Sequence, residues 1–307
     1  MSANISLEGR TAVVTGAGAG LGRSEALALA ARGADVVVND VGPGVRDVVA
    51  EIEALGRGAV AVTGDAGDWS MGERLVRTAV ETFGGLDIVV NNAGVLRDKM
   101  LFNLTESDWD DVVRVHLKGH AALSRAAAVH WRAASKAAGG PVYGRVVNTS
   151  SEAFLFGAAG QPNYSAAKAG ITALTLSTAQ GLSRYGVRAN AICPRARTAM
   201  TAAVFGESET PEGGLDILAP ERVATFVSYL ASPAADAING QVFVVYGDMV
   251  ALLAPATVER KFTAADGVFS AEELDAQLTP YFSGRGPYET FAAYGVAQLD
   301  TTGVRQG

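Results

Sequence analysis

The chain has 307 residues, 49% of them hydrophobic and 19% charged, with 36 glycines and a formal net charge of −7. That composition excludes a disordered chain. The acidic balance, with no Lys/Arg cluster, excludes a nucleic-acid-binding face. The single cysteine, Cys193, rules out an intrachain disulfide and fits a reducing compartment. The opening "MSANISLEGR" has no signal-peptide apolar core, and no run of about 18 apolar residues exists, so the expectation is a soluble cytoplasmic protein.

In chain order, short apolar runs at 11–15, 35–40, 59–63, 87–92, 145–151, 187–192 and 241–246 read as strands. They are continuously apolar rather than alternating, which implies burial on both faces, as in a parallel sheet. Helical patterns fall between them at 21–32, 44–55, 70–83, 105–136, 162–184 and 220–231. This alternation predicts an α/β fold: a Rossmann-like, doubly wound parallel sheet of about seven strands with helices on both faces. Residues 1–246 form the expected catalytic domain. Residues 247–307 form an extension packed on the same domain, with one short helix at 270–278.

The first strand runs into "TGAGAGLG" (15–22) and then directly into a helix. Gly16 permits a tight turn, while Gly20 and Gly22 let backbone N–H groups approach a pyrophosphate at the helix N-terminus. The second strand ends in Asp40, where a carboxylate can accept hydrogen bonds from an adenosine ribose and would repel a 2′-phosphate. NAD is therefore expected over NADP. Arg23, next to the loop, reads as a solvated helix residue. Asp65 suits either an adenine-edge contact or a turn.

Four motifs occur in order: "TGAGAGLG" (15–22), "NNAG" (91–94), Ser151, and Tyr164-x-x-x-Lys168. In these the chain resembles the short-chain dehydrogenases/reductases. In "GADVVVNDVG", "NNAGVLRDKM" and "GQPNYSAAKAGI" it is similar to the (3R)-hydroxyacyl-CoA dehydrogenase domains of the peroxisomal type 2 multifunctional enzymes, also called 17β-hydroxysteroid dehydrogenase type 4. The resemblance implies cofactor contacts from Gly16, Gly20, Leu21, Gly22 and Asp40, then Asp65 and Ala66. It implies others from Asn92, Ala93, Gly94 and Thr198, with Tyr164 and Lys168 at the reactive end. It implies no metal.

Tyr164 and Lys168 stand at i and i+4, on one helix face. A nearby ammonium favours a phenolate, and lowering a tyrosine pKa by ~2–3 units needs about 3–4 kcal/mol. The expected roles are Tyr164 as base, Lys168 tuning it and gripping the ribose, and Ser151 holding the substrate oxygen. Ser150 is the competitor, but adjacent strand residues face opposite ways. The thirteen-residue separation that the resemblance implies selects Ser151.

Two departures stand out. Many family members carry an asparagine where this chain has His116, in "VHLKG". His116 either holds relay water and titrates near neutrality or is bonded to backbone. Pro-Gly is common in the family after the sixth strand, and here it is Pro194-Arg195. Arg195 and Arg197 either meet a CoA phosphate or face solvent. Cys193 reads as a small buried residue. Segment 199–219 reads either as a lid or as a surface loop.

The leading functional reading is NAD-dependent interconversion of a 3-hydroxyacyl-CoA, with a bulky or steroid-derived chain, and its 3-oxo product. The alternatives are a 3-oxoacyl-carrier-protein reductase and a catalytically silent NAD-binding module. A symmetric homo-oligomer, dimer or tetramer, is expected on base rates.

Overall fold

The computed structural model describes residues 4–201, 216–286 and 289–299. Eight strands form one sheet in the order β3-β2-β1-β4-β5-β6-β7-β8. They are β1 (Thr11–Thr15), β2 (Asp35–Asp40), β3 (Ala59–Thr63), β4 (Ile88–Asn91), β5 (Gly144–Thr149), β6 (Val187–Arg195), β7 (Val242–Tyr246) and β8 (Met249–Leu252). All neighbours pair in parallel except β7 and β8. The strand order reverses between β1 and β4, and the crevice that opens there at the strand carboxyl ends is where ligands bind in such sheets.

The helices are α1 (Gly20–Ala31), α2 (Val45–Ala54), α3 (Trp69–Phe83), α4 (Glu106–Val113), α5 (Gly119–Ala138), α6 (Ala153–Phe156), α7 (Pro162–Leu182), α8 (Pro220–Leu230), α9 (Ala271–Ser283) and α10 (Tyr294–Ala297). They cover both faces. Leu29, Ile52, Leu230 and Phe243 belong to the core on one side; Leu75, Leu123, Trp131 and Val187 belong to the core on the other. Burial from both sides explains the Val-rich, non-alternating strands, and each fully buried Val or Leu contributes roughly 1.5–3 kcal/mol. The Trp131 indole N–H, deep in the second core, donates to the Leu86 carbonyl at 2.7 Å.

Three features differ from the sequence expectation. The sheet has an eighth strand: Gly247 takes φ 60°, and β8 folds back antiparallel with Met249 opposite Tyr246. The Gly-Asp pair between two apolar runs is a two-residue hairpin signal that the strand count overlooked. The single helix expected over 105–136 is interrupted: between α4 and α5, Arg114–Lys118 form a π-type turn. Such a turn holds one extra residue, has no proline or glycine of its own here to mark it, and occurs often at functional sites. The helix expected at 270–278 extends to Ser283, with Ser270 capping it through a bond from the Glu273 amide at 3.0 Å. No helix among the described residues is long and apolar enough to cross a membrane.

Candidate active site

The β1–α1 turn builds the first wall. Gly22 lies so close to the Gly16 carbonyl that a Cβ there would come within 2.2 Å of its oxygen, so the turn exists only with glycine. Thr15 Oγ1 accepts the Asn92 and Ala93 amides at 3.1 and 3.2 Å, which ties "NNAG" to the end of β1. Asn92 Nδ2 donates to the carbonyls of Thr15 and Gly16 at 3.1 and 3.2 Å. Asp40 reaches across from β2: its oxygens accept the Gly18 amide at 3.0 Å and the Gly42 amide at 2.9 Å.

A cleft of about 300 Å³ runs along this wall, lined by Gly16, Gly20, Leu21, Asp40, Asn92, Ala93, Gly94, His116, Tyr164, Lys168 and Thr198. An adjoining hollow of about 200 Å³ is bordered by Asp40, Asp65, Ala66 and Gly94. Together they bring the predicted cofactor residues Gly16 to Thr198 onto one surface, apart from Gly22, which is buried under the turn. The glycine-walled turn at a helix N-terminus and the Asp40 rim fit a dinucleotide. The residue after Asp40 is Val41, exposed and uncharged. Asp65 is already engaged: one oxygen accepts the Gly67 amide at 2.7 Å and the other pairs with Arg114 at 2.6 Å. Those bonds hold its carboxyl below the usual range, against the opposing effect of partial burial. Arg23 pairs with Glu51 on α2, away from both hollows.

The reactive end lies where β4, β5 and α7 meet. Ser151 follows β5; its Oγ accepts the Ala153 amide at 3.2 Å and lies close enough to the Tyr164 hydroxyl to favour its ionised form. Ser150 points the other way, donating to the Lys168 carbonyl at 3.0 Å and meeting Thr172 Oγ1 at 2.8 Å. Asn163, just before Tyr164, is fully buried. Its Nδ2 donates to the Asp108 carbonyl at 3.0 Å and its Oδ1 accepts the Tyr164 amide at 2.8 Å. Sequence reasoning passed over Asn163, although "QPNY" has the polar residue and proline expected at a helix start.

Lys168 is anchored to the backbone of β5. Its Nζ donates to the Thr149 carbonyl at 2.6 Å and lies 5.3 Å from the Tyr164 ring centre. Burial pushes the Tyr164 hydroxyl up to about 12, with the Ser151 bond opposing it, and burial pushes Lys168 down to about 7. Desolvation disfavours both charged forms.

His116 lies in the π-type turn, edge-on to Tyr164 with ring centres 5.2 Å apart. Its Nε2 is 2.8 Å from the Val95 carbonyl oxygen and 3.0 Å from the Val95 amide nitrogen, and its buried Nδ1 has no hydrogen-bond partner. A Cβ on Gly94 would lie 2.3 Å from the ring, so that glycine makes room for it. Burial, with Lys168 nearby, holds His116 well below its ordinary value. Its contact with the Val95 backbone matches the second of the two readings of this residue. One turn on, His120 is buried too and pushed down to about 3 by the same causes. Nothing in the spacing had marked His120.

Arg195, the last residue of β6, and Arg197 both have carboxylate partners. Arg195 pairs with Glu152 and Arg197 with Asp216. Cys193 is fully buried, which pushes its thiol up to about 12. Most of the expected lid, 202–215, lies outside the described residues.

The sequence profile of the short chain dehydrogenases matches residues 10–209. The hydroxyacyl-CoA dehydrogenase ChsB1 of Mycobacterium tuberculosis is 56% identical over 295 residues, covering 94% of this chain and 93% of that protein. Mouse peroxisomal multifunctional enzyme type 2 is 40% identical, over 79% of this chain but 32% of its own length. The crystal structure of a short chain dehydrogenase from Mycobacterium avium superposes with a TM-score of 0.83 at 43% identity, covering 94% of this chain and 99% of that one.

Proposed function

This chain belongs to the short-chain dehydrogenase family and is an oxidoreductase of CH–OH groups, and from that premise we propose that it oxidises the hydroxyl of a 3-hydroxyacyl-CoA thioester with NAD. The observation that carries the reading is a cleft with Tyr164 and Lys168 at one end and Asp40 at the other, and with Ser151 close to Tyr164. The thioester is taken from the relative that matches this chain nearly end to end. NAD rests on the Asp40 carboxylate and the uncharged Val41 beside it, which leave a 2′-phosphate repelled and unpaired.

The nicotinamide, when bound, supplies the hydride acceptor. The chain's own groups manage the proton. Ser151 Oγ holds the substrate oxygen beside the Tyr164 hydroxyl, and the substrate O–H proton passes to the Tyr164 phenolate as the carbonyl forms. In the reverse direction the protonated Tyr164 donates to the forming alkoxide. Lys168, fixed on the Thr149 carbonyl, presents its remaining N–H groups to the cleft. Moving Tyr164 from about 12 to a base that works at neutral pH requires roughly 7 kcal/mol of phenolate stabilisation, at 1.36 kcal/mol per unit. Protonated Lys168 is the nearest cation able to contribute.

A steady-state screen tests the proposal: NAD against NADP, across straight-chain and steroid-derived 3-hydroxyacyl-CoA thioesters, free secondary alcohols, and 3-oxoacyl-carrier-protein in the reductive direction. The expected outcome is the highest kcat/KM with NAD and an acyl-CoA. Turnover confined to NADPH and the carrier-protein substrate would replace this reading with the reductase.

A further inference from the structure

Arg195 stands directly after Pro194, where the family commonly has glycine, and its guanidinium makes four bonds at once. Nε and one terminal nitrogen donate to the two Glu152 oxygens, each at 2.7 Å. The same terminal nitrogen donates to the Val296 carbonyl at 2.8 Å, and the other to the Leu299 carbonyl at 2.6 Å. Its side chain is 15% exposed and that of Glu152 10%. The group also lies over the Tyr246 ring at 5.1 Å. Glu152 is covalently next to Ser151 and begins the short turn whose Ala153 amide bonds Ser151 Oγ at 3.2 Å. The extension meets that turn a second time, through the Ala293 amide and the Leu155 carbonyl at 2.8 Å.

We propose that Arg195 is a positioning residue that makes segment 293–299 a structural part of the reaction site, by fixing the Ser151–Leu155 turn through Glu152 against the carbonyl end of α10. This rests on the reading of Ser151 given above. The planar fork is what the job requires. A lysine can hold one carboxylate, but it cannot span both Glu152 oxygens and two backbone carbonyls. Removing the arginine leaves two carbonyls and a buried carboxylate without their donor, so turn and extension both loosen. Ser151 Oγ then loses its fixed distance from Tyr164. Among the described residues, none of the hydrogen bonds of Arg195 or Glu152 reaches β1, α1 or Asp40.

The test uses the full chain with four variants: Arg195→Met, Arg195→Lys, Glu152→Gln/Arg195→Met, and Tyr164→Phe as reference. Three quantities are read: kcat on a 3-hydroxyacyl-CoA at saturating cofactor, the Kd of the cofactor by fluorescence titration, and hydrogen exchange of 151–156 and 289–299. For Arg195→Met we expect faster exchange in both segments, a kcat loss of about tenfold to 10²-fold, the scale of a misplacement of about 1 Å, and an unchanged cofactor Kd. Arg195→Lys should restore part of kcat and protect 151–156 more than 289–299. The double variant removes the orphaned charge and should still show the kcat loss. If Arg195→Met does not fold, the lysine and double variants decide the matter. Released extension with normal kcat, or an opening of 289–299 that leaves 151–156 protected, would overturn the proposal. If Tyr164→Phe keeps its turnover, the assigned reaction fails; if Tyr164→Phe is inactive while the Arg195 variants work normally, only the role of Arg195 fails.

Discussion

The two ends of the cleft are built from different materials. The nucleotide end is mostly backbone: glycines, amides and two carboxylates, with Asp40 accepting from Gly18 and Gly42, and Asp65 from Gly67. The reactive end is mostly buried side chain: Asn163, Lys168, His116, His120 and Asn148 are each at most 2% exposed. Backbone sites depend on spacing and on the absence of Cβ atoms, and both are visible in a sequence. Side-chain sites depend on what covers them, and covering alters the chemistry. Here it makes Tyr164 a weaker acid and Lys168 a weaker base than the same pair in water.

The sharpest break between the ends is Tyr164→Phe. It removes one hydroxyl at the reactive end and no bond at the nucleotide end. We expect kcat to fall by about 10³-fold, within the range for loss of a positioned acid–base group, while NAD affinity by fluorescence titration stays unchanged. A matched loss of NAD affinity would show that the ends are not separable.

Opposite pH limbs give the next largest effect. Glu25, on α1 behind the nucleotide turn, is fully buried with neither oxygen partnered, and burial raises its pKa from 4.5 to about 8. Between those values the folded chain keeps a proton that the unfolded chain releases, so stability falls as pH rises through that window. His120 acts in reverse. Its pKa drops from 6.5 to about 3, so the unfolded chain holds the extra proton and stability falls as pH drops below about 6.5. Glu25→Gln should flatten the alkaline limb alone, gaining about 4 kcal/mol at pH 8 against a ceiling near 5 kcal/mol. Melting curves of both proteins at pH 5 and pH 8 check this; an equal gain at both would remove the titration from the account.

Asp40→Ala acts at the nucleotide end only. Loss of a charged acceptor costs about 2 kcal/mol, or roughly 30-fold in the KM for NAD. The KM for NADP should change little or improve, and kcat should hold. A fall in kcat with KM unchanged would mean that Asp40 does not contact the cofactor.

The legibility of the molecule follows the same division. Strand 35–40 was readable to the residue, because a strand buried on both faces is continuously apolar and ends in glycine or a charge; 59–63, half-buried at the sheet edge, was readable from its apolar run and the glycines that bound it. The loop 15–22 was readable because few chains place so many glycines between a strand and a helix. The π-type turn that inserts His116 was not, since Arg114–Lys118 contain no proline or glycine to mark where the helix departs from its regular winding. Arg195 was misread for a different reason. Its partners, Glu152 and the carbonyls of Val296 and Leu299, lie 43, 101 and 104 residues away, and no local pattern records a bond across that distance. The i, i+4 spacing places Lys168 beside Tyr164 but carries no record of the burial that raises the Tyr164 hydroxyl.

The smallest effect tests whether the floor of the reactive end is one unit. Asn91 Nδ2 donates to Asn148 Oδ1 at 2.8 Å, Asn148 Nδ2 donates to Thr175 Oγ1 at 2.8 Å, and Thr175 donates to the Ile171 carbonyl at 2.8 Å. This buried line runs from β4 through β5 into α7, two turns beyond the Lys168 backbone. Thr175→Val keeps the shape and removes the acceptor for Asn148, so one amide N–H is left dry and unpaired. The cost should be about 1 kcal/mol in denaturant unfolding, at the low end for an unsatisfied buried donor, because the β-branched shape still packs. Because α7 carries Tyr164 and Lys168 on the same rigid helix, kcat should drop no more than about threefold, with its pH profile unmoved. A larger kcat loss, or a shifted profile, would mean that the line sets the height of Lys168 above the Thr149 carbonyl as well as stabilising the fold, and the reactive end would then reach down to the sheet interior.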